Sequence, residues 1–368
     1  MRLSILALGL ALTSIVAGCS GEVSSAEPTA SVKSAVQGGK LDTAKNHNFA
    51  VGIANRFGGV CSGTLIAPNL VLTARHCVVK PDGSDAVTCD DKFGANVDPS
   101  AMFVTTEPNL FRAKNYYPAA KIITPEPTGF CGNDIALVIL ADKIPDTEAQ
   151  PATPVVQFKM TDDRIGVNIT AMGYGITSPS ANDSGQRRIR ENIRLLCVPG
   201  SPIMECEGQL AQFSDSPAEF VTEGYVCSGD SGGGAFDQGS FEKGTPYVLG
   251  ALSRGPQTET KCLAAIYSRT DAHSPMIIAA GVEAAEKGGY TAPAWTKSES
   301  APVPTGEAAP CEGDTCTDVS ATEPAPAPAT RTVTTSGCSS SPISGSSSTG
   351  AFALAAAAVV VALRRRRA

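Results

Sequence analysis

Between residues 36 and 290 the apolar residues fall in short runs: Phe49–Ile53, Leu70–Thr73, Ile135–Leu140, Val167–Met172 and Tyr247–Leu252. Glycine and proline are abundant, at 36 and 26 residues over the chain, and they break these runs apart. Apolar runs this short, separated by turn-forming residues, predict strands. Many such strands predict an antiparallel all-β fold. One helix is legible near the end of this region. Ser274 suits an N-cap, Pro275 suits the first helical position, and Met276, Ile277, Ala280 and Ala284 form an apolar stripe that Gly288-Gly289 stops. At 368 residues the chain exceeds one typical domain without requiring two.

Twelve cysteines are too many for a reduced cytosolic enzyme without metal sites and predict an oxidising compartment. No Cys-x-x-Cys pair or histidine partner suggests zinc, so no metal or cofactor is expected. Asp90, Asp91 and Asp98 are expected in a solvated acidic loop rather than a calcium loop. The net charge of −7 and the lack of a broad basic surface exclude nucleic acid as a partner. The cluster Arg187, Arg188, Arg190 and Arg194 is expected on a solvated loop or strand face.

The run Cys227-Ser228-Gly229-Asp230-Ser231-Gly232-Gly233 places a serine among glycines beside a cysteine-pinned turn. A serine hydroxyl is a nucleophile only when a base takes its proton, and its oxyanion product needs backbone N–H donors. Glycines let the backbone approach a substrate carbonyl. A base and an orienting acid stand upstream. His76 follows the apolar run Leu70-Val71-Leu72-Thr73, and Asp134 precedes Ile135-Ala136-Leu137-Val138. The other two histidines, His47 and His273, lie in no motif and are expected to be solvated or locally satisfied.

Thr-Ala-x-His-Cys, Asp-Ile-Ala-Leu and Gly-Asp-Ser-Gly-Gly, in that order, resemble the marks of the trypsin/chymotrypsin family of serine endopeptidases. The resemblance covers residues 36 to 290. It implies two six-stranded antiparallel β-barrels with the active site between them, closed by a C-terminal helix. It implies a catalytic triad of His76, Asp134 and Ser231, with the Gly229 and Ser231 N–H groups as oxyanion hole. Val36-Gln37-Gly38-Gly39 resembles the family's activation site. Cleavage after Ala35 would free the Val36 amine to pair with Asp230. The specificity pocket would have Tyr225 at its floor, with Ser253, Gly255 and Ala265 around its walls. That pocket is uncharged and favours small or medium apolar side chains, unless a loop shift brings Glu223 into it. The implied disulfides are Cys61–Cys77, Cys227–Cys262, Cys197–Cys206 and Cys89–Cys131. Two departures from the family pattern are Arg75 in place of Ala and Gly234 in place of Pro.

The ends of the chain predict sorting. Arg2 and the apolar stretch to Ala17 form a signal peptide over residues 1–18, and Val16-Ala17-Gly18-Cys19 resembles a bacterial lipobox that would lipidate Cys19. Residues 19–35 are a propeptide or linker, and 291–336 a Pro/Ala/Ser/Thr-rich stalk in which Cys311 pairs with Cys316. Residues 337–368 combine Cys338, an apolar run from Ala351 to Leu363 and Arg364–Arg367. That run is short of the about 20 residues that span a bilayer. This tripartite pattern resembles the C-terminal surface-sorting tags of myxobacteria. The expected protein is an exported, monomeric serine endopeptidase held at the bacterial outer membrane or cell surface, acting on proteins or peptides. Two rival readings are a catalytically silent binding protein on the same fold and a surface-stalk protein whose folded head is incidental.

Overall fold

The computed structural model describes residues 36–297 apart from 57, 80–88, 162–164, 209, 213 and 215. The expected signal peptide, propeptide, sorting segment and most of the stalk lie outside the described residues, as do Cys19, Cys311, Cys316 and Cys338.

A short strand β1 (Lys40–Leu41) precedes the first barrel. That barrel comprises β2 (Ala50–Asn55), β3 (Val60–Ala67), β4 (Leu70–Thr73), β5 (Met102–Thr105), β6 (Tyr117–Ile123) and β7 (Ala136–Leu140). It closes in the order β2-β3-β4-β7-β6-β5. Every residue of β4 and β7 is buried, which explains why both are continuous apolar runs in the sequence. The second half contains β8 (Thr153–Pro154), β9 (Asn168–Gly173), β10 (Arg188–Cys197), β11 (Glu219–Glu223), β12 (Gly234–Asp237), β13 (Tyr247–Arg254) and β14 (Ala264–Arg269). Its ladder runs β10-β11-β14-β13-β12-β9 and closes through β9–β10. The fold is therefore two closed six-stranded antiparallel barrels. The expected strands fall within one or two residues of those observed, and Leu70–Thr73 coincides.

A helix α1 (Gln238–Glu242) follows β12, and the predicted helix, α2, spans Ser274–Gly288. Its N-cap position is occupied by His273 rather than the expected Ser274, and neither supplies a side-chain cap; Pro275 in the first turn starts the helix instead. Gly289 ends it at φ 63°, a conformation costly to any residue with a Cβ. Ile277, Ala280 and Ala284 are buried in the same core as β4 and β7, and Met276 packs at its edge. Packing continues past residue 290, where the stalk was expected to begin. Trp295 is buried against α2, and a Cβ at Gly281 would lie 2.4 Å from its ring. Four disulfides join Cys61 to Cys77, Cys89 to Cys131, Cys197 to Cys206 and Cys227 to Cys262, as befits a protein of an oxidising compartment. Among the described residues no helix is long and apolar enough to cross a membrane.

The arginine cluster is not solvated as expected; of its four members only Arg194 is exposed. Arg187 has no exposed surface. It donates to Asp42 Oδ2 at 2.8 Å, Asn48 Oδ1 at 3.0 Å and the carbonyls of Ala44 at 2.8 Å and Thr106 at 3.0 Å. A guanidinium tolerates such burial only when its donors find acceptors and its charge a partner. Here it fastens the segment that leaves β1 for the first barrel. His47 closes the same network, its ring nitrogen 3.0 Å from Asp42. The Arg187→Met variant should lose about 3–5 kcal/mol of stability in denaturant unfolding, because it strands the buried Asp42. Arg194→Met should change stability by less than about 0.5 kcal/mol.

Candidate active site

Thr73 at the end of β4 stands opposite Ala136 at the start of β7. The residues just beyond these strand ends therefore emerge together. His76 lies in a 3-10 turn, Arg75–Cys77, pinned by the Cys61–Cys77 bridge. Asp134 lies two residues before β7 and has no exposed surface. Its Oδ2 stands 2.8 Å from His76 Nδ1, and its Oδ1 accepts the His76 backbone N–H at 2.9 Å. Ser253 Oγ, from β13, donates to Oδ2 at 2.6 Å, and Ser268 Oγ, from β14, donates to the Asp134 carbonyl at 2.9 Å.

Burial alone would raise the Asp134 carboxyl, but the His76 charge and the His76 and Ser253 hydrogen bonds outweigh it and hold it low. Burial alone would lower His76; the Asp134 charge and hydrogen bond reverse this and hold it above its ordinary 6.5. With Nδ1 facing a carboxylate, the neutral ring carries its proton there and leaves Nε2 as an acceptor.

Ser231 lies in the turn between Cys227 and β12. Asp230 N–H donates to the Cys227 carbonyl at 3.0 Å, Gly233 N–H to Asp230 at 2.8 Å and Gly232 N–H to Leu252 at 2.8 Å. The first barrel grips this turn as well. Ser62 N–H donates to the Ser231 carbonyl at 2.8 Å and Ser62 Oγ to the Gly229 carbonyl at 2.9 Å. Gly232 has φ 79°, and a Cβ there would lie 2.1 Å from Thr73 Oγ1 and 2.8 Å from Ala74 N. The serine turn is thus docked on the end of β4, three residues before His76. Among the described residues, Gly229 N–H and Ser231 N–H meet no protein acceptor, whereas the N–H groups of Asp230 and Gly232 do.

Asp230 is buried behind this turn. Its carboxylate accepts the N–H groups of Cys227 at 2.9 Å and Gly175 at 2.8 Å. Val36 is fully buried in the second core, and its backbone N–H reaches the same carboxylate. Burial pushes Asp230 up to about 7, against the amides of Cys227, Gly175 and Val36 and the charge of Arg188.

The four pocket candidates take different places. The Tyr225 backbone has φ 88°, and its ring lies 3.4 Å beneath the Arg190 guanidinium carbon. Gly255 is exposed and lies against β14, where a Cβ would be 2.1 Å from the Ala264 carbonyl oxygen. Ala265 is fully buried, and Ser253 turns its hydroxyl to Asp134. Glu223 accepts the Arg194 N–H at 3.4 Å. Arg75 folds under Phe93, 4.7 Å from its ring, and donates to the Pro127 carbonyl at 2.6 Å. Gly234 has no room for a side chain, since a Cβ would lie 2.5 Å from Thr64 Oγ1. Cys61, His76 and Cys77 gather potential metal-ligand atoms within 4.8 Å, but the two sulfurs are bonded to each other and offer no thiolate. Sequence reasoning missed Ser62, Ser268 and Arg254. The last is paired with buried Glu219 at 2.6 Å and lies over Phe130, which stacks on His76. None of the three lies in a motif with its own chemistry.

The fold and the imidazole–carboxylate pair between its barrels define a hydrolase of the serine peptidase class. A model of the Trypsin family matches residues 36–277. Snake venom serine protease 1 of Craspedocephalus gramineus is 29% identical over 218 residues, covering 56% of this chain and 74% of that protein. Brachyurin of Leptuca pugilator is 29% identical over 197 residues, covering 53% and 73%. A trypsin of Saccharopolyspora erythraea is 29% identical over 206 residues, covering 54% and 80%. The chain belongs to the trypsin family and is a serine-type endopeptidase.

Because Asp134 favours the imidazolium, the acid limb of kcat/KM against pH should have its midpoint above 6.5, with activity rising as His76 loses its proton. A midpoint at or below that value contradicts the ion pair. Ser253→Ala removes one hydrogen bond to a charged group and should lower kcat/KM by about 10- to 100-fold.

Proposed function

We propose that this protein is an exported endopeptidase in which His76, Asp134 and Ser231 form the triad. The observation that carries the reading is the buried Asp134 holding His76 at the strand edge where the Ser231 turn docks. In this mechanism His76 Nε2 takes the Ser231 hydroxyl proton as the oxygen attacks a peptide carbonyl. Asp134 orients the ring and stabilises its cation. The N–H groups of Gly229 and Ser231 hold the oxyanion. His76 then protonates the leaving amine, and water, activated by the same imidazole, releases the acyl group. An intact acid–base pair gives no support to the silent-binding reading.

The Arg190 cation over Tyr225 opposes Lys or Arg in the pocket and supports a preference for small or medium apolar side chains. The N-terminal lipobox at Cys19 and the tag at Cys338 support surface attachment. Cleavage after Ala35 would separate the peptidase from lipid on Cys19, leaving the C-terminal tag as its tether.

Hydrolysis of peptide substrates ending in Ala, Val, Leu, Phe, Lys or Arg tests both claims. Ala, Val or Leu should lead, and Asp134→Asn should lower kcat by about four orders of magnitude, as neutralising this carboxylate does in related triads. A variant keeping most of its activity contradicts the assignment.

Cleavage before Val36 should also change stability with pH. In the continuous chain Asp230 rises from an ordinary 3.8 to about 7 on folding, so the folded state holds a proton that the unfolded state releases. Stability therefore falls as pH rises through that window. A freed Val36 amine, charged below about 8, would pair with the carboxylate and remove the penalty. The cut chain should melt higher than the continuous chain, with a larger gap at pH 7 than at pH 4. A gap independent of pH contradicts the Val36–Asp230 pair.

A further inference from the structure

Arg188, which opens β10, has no role in the mechanism above. Arg188 is only 6% exposed, yet its donors are poorly used. Its Nε has no hydrogen-bond partner, Nη1 meets the Gln186 carbonyl at 3.4 Å, and Nη2 lies 3.7 Å from Asp183. A guanidinium withdrawn this far from water calls for a negative charge nearby. Partly exposed Asp183 supplies one at 3.7 Å, and the strand registers bring a second, buried one close. Arg188 stands opposite Gly173 on one side and Leu41 of β1 on the other. The Asp230 carboxylate packs onto Gly173 so closely that a Cβ there would lie 2.2 Å from Oδ1. The buried cation and the buried carboxylate therefore flank the same residue of β9. Each acts on the other through its charge rather than a direct hydrogen bond.

The activation segment needs such a cation. In the continuous chain Val36 brings Asp230 only a neutral N–H, and its φ of 45° is strained for a β-branched residue. Cutting the Ala35–Val36 bond removes that dihedral altogether. Until then the segment is held by other means. Leu41 pairs with Arg188, and Arg190 donates to the Gln37 carbonyl at 2.6 Å. Arg188 and Arg190 are two apart on one strand and so share a face.

We propose that Arg188 is the resident counter-ion of Asp230 and holds the Ser231 turn in working order in the continuous chain, so that cleavage increases activity rather than creating it. The proposal rests on the peptidase reading above. Arg188 is a positioning residue, acting through Asp230.

The test compares the full chain in two forms. One is continuous, with an intact Ala35–Val36 bond verified by mass spectrometry. The other is cut before Val36 by a site-specific protease whose recognition sequence replaces the residues up to Ala35. The rate of labelling by a fluorophosphonate is read in both forms for wild type, Arg188→Met and Arg188→Lys, with thermal unfolding alongside. Continuous wild type should label measurably. Arg188→Met should slow the continuous form by about tenfold or more, the effect of losing one nearby charge, and Arg188→Lys should restore it. The cut forms of all three should react alike, since the Val36 amine then supplies the charge. If Arg188→Met does not fold, Arg188→Gln takes its place. Equal slowing of both forms would mark a merely structural role and overturn the proposal. So would an inert continuous wild type beside a reactive cut one, which leaves the peptidase reading standing. If the cut wild type is inert as well, that reading falls, and the proposal with it.

Discussion

Asp134 belongs to the first barrel and is held by the second. Its carboxylate accepts the Ser253 hydroxyl of β13, and its carbonyl accepts the Ser268 hydroxyl of β14. The same carboxylate fixes both the backbone and the ring of His76. Orientation of the base and docking of the two barrels are therefore one interaction. A carboxylate with no exposed surface is tolerable only when its oxygens are filled. Here His76 of the same barrel fills part of the carboxylate, and the Ser253 hydroxyl completes it only when the barrels are correctly joined. Ser62 does the reciprocal work, carrying the Ser231 turn of the second barrel on a strand of the first.

The site contains a second buried carboxylate with the opposite electrostatic outcome. Asp134 has an imidazole within hydrogen-bond reach and is held low. Asp230 has amides and a more distant guanidinium and is pushed up to about 7. The difference lies in whether an ionisable partner is within hydrogen-bond reach, since both carboxylates are almost wholly enclosed. That contrast suits the two roles. In the proposed roles, one carboxylate orients the imidazole and stabilises its cation, and the other sets the shape of a turn.

Much of this was legible in the sequence where local chemistry is decisive. Leu70–Thr73 is buried at every position, so its apolar run maps directly onto β4. His76, Asp134 and the Ser231 run stand in motifs whose spacing survives folding because each follows or precedes a barrel strand. The arginines show where legibility ends. Nothing local distinguishes Arg187, with no exposed surface, from Arg194 on the surface. The acceptors that permit its burial come from residues 42 to 106 and converge only in the assembled fold. Trp295 is similar, because its partner is a glycine on α2 rather than an apolar run of its own. Nothing local to Ser253 shows that its hydroxyl reaches a buried charge.

The central claim is that Ser231 is the nucleophile and His76 its base. The most direct measurement is to treat the protein with a fluorophosphonate and locate the adduct by peptide mass spectrometry. A single adduct on the peptide carrying Ser231, absent from His76→Ala, is the result this account predicts. An adduct on another serine, or labelling of Ser231 that survives His76→Ala at the same rate, would contradict it.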